Sequence, residues 1–169
     1  SLAANVFVNG IKYFEALRLT LLTRLNFFVY FEYIVPFVWL TAGFFLVFLI
    51  KKILGCTSCQ GPADAIYCAH RPNKNMDIRQ GFGTVLAAFT SLSAGASLGQ
   101  YGPIVHMGAL IGGLFKKYNL SSIHLSNDIF LGCGVAAAIS AGFQAPIAGV
   151  IFAHEAILRH FSVRAIAPI

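Results

Sequence analysis

Over residues 80–115 the chain carries no Asp, Glu, Lys or Arg. A membrane-crossing helix needs about 20 mostly apolar residues, so this stretch is too long for one span and too short for two complete ones. Gly95, Gly99, Gly102 and Pro103 interrupt it. An uncharged run broken in its middle by glycine and proline fits helices that meet inside a bilayer. Two more uncharged stretches cover residues 33–50 and 129–154, and the first fits a single, somewhat short span.

Composition points the same way. Of 169 residues, 57% are hydrophobic and 11% charged, against about 25% charged in an ordinary soluble domain. A soluble chain this small must cover its surface with polar groups, and hydrocarbon solvent removes that requirement. The opening SLAANVFVNG has no basic segment ahead of an apolar core, which argues against a secretory signal. It also has no initiator Met, so the chain is expected to begin in mid-protein. The formal net charge is +6. Lys51-Lys52, Lys116-Lys117, Arg159 and Arg164 lie beside apolar segments, as interfacial anchors do, with attraction of anions as a second effect. Nucleic-acid binding requires a basic stripe in polar surroundings, and the sequence has none.

Apolar runs and breakers define the expected elements. Residues 5–20 read as the end of one helix. Residues 27–50 read as a span, with Pro36 near its first turn and Lys51-Lys52 ending it at an interface. GCTSCQGP, residues 55–62, is a break before a short helix over 63–70, and RPNKNMD, residues 71–77, is a polar connection. A small-residue helix is expected over 78–98, a second break at GQYGP (99–103), and a helix over 104–118. NLSSIHLSND (119–128) reads as a loop in which Ser126 or Asn127 caps the next helix. Helices over 129–143 and 147–160 flank Gln144-Ala145-Pro146. The pairs Gly95/Gly99 and Gly108/Gly112 are each four residues apart, the spacing of a packing groove on one helix face. Phe44, Phe45 and Phe48 read as lipid-facing or core residues.

A helix that begins inside a membrane presents free backbone N–H groups, and its N-terminus carries roughly half a positive elementary charge. An anion can satisfy those donors without a buried Lys or Arg. Two such starts are expected, after Pro62 and after Pro103, with glycine beside each for close backbone approach and proline giving up no needed N–H. The plain alternative is that both are structural kinks.

The motifs carry a resemblance. SLSAGASLGQYGPIVHMGALIGG, residues 91–113, resembles the signature usually written GREGP, with its continuation, of the CLC chloride channel and transporter family. GCGVAAAISAGFQAPIAGVIFAHE, residues 132–155, is similar to that family's run of small residues, Pro-Ala-Gly turn and acidic helix. GCTSCQGP sits where the family's GSGIP chloride motif is expected. The resemblance implies an all-α, polytopic membrane protein with broken helices, and residues 1–169 read as one inverted-repeat half of that fold, incomplete by itself. The missing second half would supply further backbone donors and a tyrosine to the anion site.

By the same resemblance the chloride-binding positions are Ser58 or Cys59, together with Gln100, Tyr101 and Gly102. Gln100 stands where the family has Arg, and Tyr101 where it has its gating glutamate. Glu155 matches the first of two glutamates of proton-coupled bacterial members, and Ala156 the second, the inner proton acceptor. Both proton-carrying carboxylates are therefore expected to be missing. A tyrosine, with an unperturbed pKa of about 10, is a neutral donor at neutral pH, so Tyr101 is either a hydroxyl ligand for chloride or an aromatic plug. Residues 147–158 match the helix that contributes to the family's dimer interface.

Other constellations fare worse. Cys56, Cys59, Cys68 and His70 have the ligand types for zinc, but Cys-x-His is not a common finger spacing. A redox CxxC lacks the thioredoxin-like strand pattern around it. His154-Glu155 begins a zinc-protease motif that fails at Leu158. His106 reads as a hydrogen-bonded structural residue, His160 as interfacial, and Asp64 and Asp77 as solvated. No enzyme, cofactor or metal is expected. The expectation is chloride transport, channel-like or not proton-coupled, by a homodimer in a lipid bilayer. The alternative is a non-conducting fragment or structural homologue.

Overall fold

The computed structural model describes residues 2–24, 31–55, 60–71, 76–119 and 126–159. Every regular element among them is helical. The order is α1 (Leu2–Arg24), α2 (Phe31–Leu54), α3 (Pro62–Ala69), α4 (Ile78–Ser93), α5 (Tyr101–Asn119), α6 (Asn127–Phe143) and α7 (Pro146–Phe152). The last continues into a wider π-helical turn, Ala153–Leu158. The all-α expectation and the interruption before Pro62 hold, whereas the second interruption lies at residues 94–100 and α5 runs through Gly102-Pro103.

Helix α5 is the axis. Residues 104–110 are buried without a break. One face of α5 gives Val105 and Ala109 to a core with Ala65, Leu131, Val135 and Ile157. The other gives Ile104, Met107 and Leu110 to a core with Ala4, Phe7 and Val85. Its most extensive partner is α6, and the reason is glycine. A Cβ on Gly108 would fall 2.6 Å from the Gly134 carbonyl oxygen. One on Gly112 would strike the Phe130 carbonyl oxygen, and one on Gly134 the Gly108 carbonyl oxygen. The two backbones touch with no side chain between them. In lipid, where hydrocarbon gives apolar side chains no reason to hide, such close van der Waals contact drives helix association.

The Gly95/Gly99 pair behaves otherwise. Helix α4, expected to reach residue 98, ends at Ser93. Gly95 turns the chain with φ +92, a left-handed conformation that suits glycine just past a helix end. The Arg18 guanidinium occupies the space a Cβ there would need, next to the negative end of the α4 dipole. Gly95 and Gly99 thus belong to a connection and form no groove on a helix. At its other end α4 is capped by Asp77, whose carboxylate accepts the Arg79 N–H at 3.0 Å.

Helix α2 runs through Lys51 and Lys52 to Leu54, and Gly55 at φ +63 closes it. It meets α4 where Gly43 lies on Ala94 and where the Trp39 indole N–H donates to the Ser93 carbonyl at 3.4 Å. Elsewhere Phe37, Phe44, Phe45, Phe48 and Ile53 stand exposed. Over Ile34–Leu54 the mean hydropathy is 2.1, and none of this 21-residue stretch is buried within the chain. It is the one helix among the described residues long and apolar enough to cross a membrane, while α6 and the α7 unit are shorter apolar helices.

Helices α6 and α7 form a tight hairpin. Gln144 takes the left-handed conformation at φ 55, and Pro146 opens α7. Ile147 and Ile151 face outward, whereas Ile157 and Leu158 fill the chain's own core. Only part of residues 147–158 is therefore open to a partner.

Candidate functional site

Helix α3 starts at Pro62, behind Gly61 in an extended conformation. Helix α5 starts at Tyr101, with the Ile104 N–H reaching the Gln100 carbonyl at 3.2 Å. The second start thus falls ahead of Pro103, which occupies the first turn. The two starts meet: a Cβ on Gly102 would lie 3.7 Å from the Pro62 ring. Between them is a cavity of about 130 Å³, lined by Gln60, Gly61, Pro62, Gly102, Pro103 and His106, with Thr84, Val85 and Ala88 of α4 as its wall. Thr84 holds this wall in register. Its hydroxyl donates to the Gln80 carbonyl at 3.0 Å and accepts the Gln60 N–H at 3.3 Å.

The two starts differ in charge. In α3 the Asp64 carboxylate reaches back to accept the Gly61 N–H at 2.8 Å. It is therefore a cap and not simply a solvated residue, and its negative charge already answers the positive end of α3. Helix α5 has no acidic residue in its first turn. Among the described residues, no carboxylate answers its positive end as Asp64 answers that of α3.

The anticipated site residues separate. Gly102 lines the cavity. Gln100 is half-buried and contributes its carbonyl to the first turn of α5. The Tyr101 ring, 41% exposed, packs edge-on against Phe152 at 5.4 Å and tilted against Phe143 at 6.5 Å. An aromatic cluster thus ties the start of α5 to the ends of α6 and α7. Ser58 and Cys59 lie outside the described residues, as do Cys56, His160 and Arg164. Of the remaining cysteine-region residues, Cys68 is buried in α3 and its carbonyl accepts the Asn127 amide at 3.1 Å. The His70 ring lies 2.8 Å from the Ile66 carbonyl. Glu155 is exposed on the π-helical turn, with Ala156 half-buried beside it.

His106 departs from expectation. It is 1% exposed, and its polar contact with the Gly61 backbone falls short of a hydrogen bond of good geometry. The Gln60 side-chain oxygen is buried and unpartnered as well. Both residues line the same cavity. Buried polar groups left unsatisfied are uncommon and call for an explanation.

The sequence model of the voltage gated chloride channel family matches residues 42–169. Chloride channel protein CLC-d of Arabidopsis thaliana is 33% identical over 87 residues, covering 44% of this chain and 11% of that protein. A ClcB-like chloride channel protein of Ralstonia nicotianae is 28% identical over 97 residues, covering 56% of this chain and 23% of its own length. Chloride channel protein CLC-e of Arabidopsis thaliana is 42% identical over 77 residues, covering 43% and 10% respectively. The chain thus spans less than a quarter of the length of each of these relatives.

Proposed function

This chain belongs to the voltage gated chloride channel family, and on that footing we propose that it forms part of a chloride pathway across a membrane, past the paired starts of α3 and α5. The observation that carries the reading is the meeting of Gly61-Pro62 and Gly102-Pro103 at one cavity. Two helix N-termini aimed at one place offer backbone donors and positive partial charge to an anion. No buried lysine or arginine is required, so binding stays weak enough for release. The open end of α5, with Gln100, Tyr101 and Gly102, is the stronger attractor, because Asp64 already neutralises α3. Ser58 or Cys59 is the proposed further ligand, immediately ahead of Gln60. Transport is channel-like and not proton-coupled, since Tyr101 and Ala156 hold the positions of the family's proton-carrying glutamates.

The experiment is chloride efflux from liposomes containing the complete gene product. Efflux above protein-free vesicles is expected, and Gly102→Val is expected to reduce it at least tenfold. Absence of efflux from folded protein would leave the second reading, a non-conducting member of the family. The Tyr101 ring seated against Phe143 and Phe152 favours that reading.

The proposed partner is a second copy of the chain. The exposed Ile147 and Ile151 supply the apolar face. Cysteines placed at Ile147 or Ile151 are expected to give intersubunit cross-links in the membrane, and one at Ile157, buried in the chain's own core, none. Cross-links confined to single subunits at all three positions would refute the dimer.

A further inference from the structure

The open end of α5 and the unsatisfied ring of His106 face the same small space. His106 is one and a half turns into α5, so its ring sits behind the helix start on which the proposed anion site rests. A neutral imidazole has one donor and one acceptor, and an imidazolium has two donors. A second unpartnered group among the residues lining the cavity is an acceptor, the Gln60 side-chain oxygen. Among the described residues, the charged group near enough to act on His106 is Asp64 on α3, and the Gly61 backbone lies beside the ring. Helix α4 presents Thr84, Val85 and Ala88. The α5 stretch around His106 meets Val135 and Ala138 of α6, and Phe7 and Val8 of α1. Tyr101, on the same helix, turns its ring to Phe152. Among the described residues, the cavity's surroundings therefore hold one negative charge and spare acceptor capacity. A cavity of about 130 Å³ also has room for a few waters, each of about 30 Å³, to bridge ring and amide.

We propose that His106 is a proton-binding residue linked to the anion site, its imidazolium form adding a positive charge and a second N–H behind an anion held at the start of α5. The proposal rests on the reading of that start as an anion site. A buried imidazolium is costly alone and favourable beside an anion and Asp64. The anion in turn binds a doubly donating cavity more tightly than a neutral one. Linkage makes these the same free energy: if the proton strengthens chloride binding by some factor, chloride strengthens proton binding by that factor. Such couplings typically amount to about 5- to 150-fold. The proton comes from solvent and returns to it, and no covalent step is involved. His106 is a positioning and charge-setting residue here, sharing the cavity with the anion.

The test uses the full-length protein in detergent, titrated with sodium chloride at about pH 5.5 and about pH 8, on either side of the ordinary imidazole range. Tighter chloride binding at the lower pH, by about tenfold, is expected. In weakly buffered solution between those values, adding chloride is expected to draw protons out of solution. His106→Gln, which keeps a donor and an acceptor without the titration, is expected to bind chloride with the same affinity at both values and to take up none. Wild-type protein that binds chloride equally at both pH values, with no proton uptake, overturns the proposal and leaves the anion site standing. So does a folded His106→Gln that keeps the full pH dependence. Wild-type protein that binds no chloride at either pH overturns the anion-site reading and this proposal together. The wild-type uptake measurement decides the matter even where the variant does not fold.

Discussion

Replacing Tyr101 with alanine is expected to speed chloride flux through the full-length protein, without coupling it to protons. The ring is held against Phe152 and Phe143. Aromatic pairs of this kind are each worth about 0.5–1.5 kcal/mol beyond their buried area. If the ring must leave both contacts for an anion to pass, they add about 1–3 kcal/mol to the barrier, equivalent to about a 5- to 160-fold rate difference. Liposome flux of wild-type and Tyr101→Ala protein measures it. A variant that conducts more slowly and binds chloride more weakly would identify the tyrosine as a hydroxyl ligand. An unchanged rate would place the ring off the path. Simultaneous pH recording with the voltage controlled tests coupling. Ala156 binds no proton, and a neutral phenol releases one at pH 7 only at a cost of roughly 4 kcal/mol. A proton bound at His106 needs a further acceptor leading to the other side before it can cross, and neither Tyr101 nor Ala156 supplies one. Proton movement at a fixed ratio to chloride would refute the uncoupled mechanism.

Adjacent glycines on α5 are expected to respond in opposite senses. Gly112→Ala drives a methyl group into the Phe130 carbonyl oxygen, and both groups belong to rigid helical backbone. Overpacking a core usually costs about 1–3 kcal/mol through side-chain adjustment. Here no side chain can adjust, so the cost is expected at or above the upper end. Gly113→Ala places its methyl 3.7 Å from a Leu131 methyl, an ordinary contact. It also gains about 1 kcal/mol of helix propensity. Thermal unfolding in detergent should therefore show a large loss for Gly112→Ala and no loss, or a small gain, for Gly113→Ala. Equal behaviour of the two would mean that α5 and α6 do not meet through this seam.

The helical architecture and its interruptions are legible because Gly-Pro punctuation inside uncharged runs is a local signal. The starts of α3 and α5 are readable for that reason. Gly108 and Gly112 are readable as a packing pair, although their partner Gly134 is not, since spacing on one helix says nothing about which helix opposes it. Gly95 and Gly99 show the reverse error. The same four-residue spacing suggests a groove, yet Gly95 acts as the residue that ends α4, a role that small neighbours on both sides disguise. Asp64 reads as solvated in the sequence and is a cap in the structure; its place three residues after Gly61, across a proline, is the signal that reading passed over. The Tyr101 cluster is not. Phe143 and Phe152 come from α6 and α7, and only the hairpin at Gln144 brings them back to the start of α5. The ordinary behaviour of buried histidines gives His106 a well-made hydrogen bond, and the poor geometry of its contact with the Gly61 backbone emerges only once α3 and α4 close the cavity.

The glycine seam has a mechanical consequence. Helices that meet through side chains can slide past one another in small steps as those side chains change rotamer. Where backbone rests on backbone, as at Gly108, Gly112 and Gly134, there is no such lubricant. Helices α5 and α6 must travel as one block. Displacement at the start of α5 therefore has to be absorbed outside that block, in the connection around Gly95 and at the left-handed Gln144, where the chain turns without helical hydrogen bonds on both sides. Among the described residues, those two joints, and not the seam, are where bending is expected.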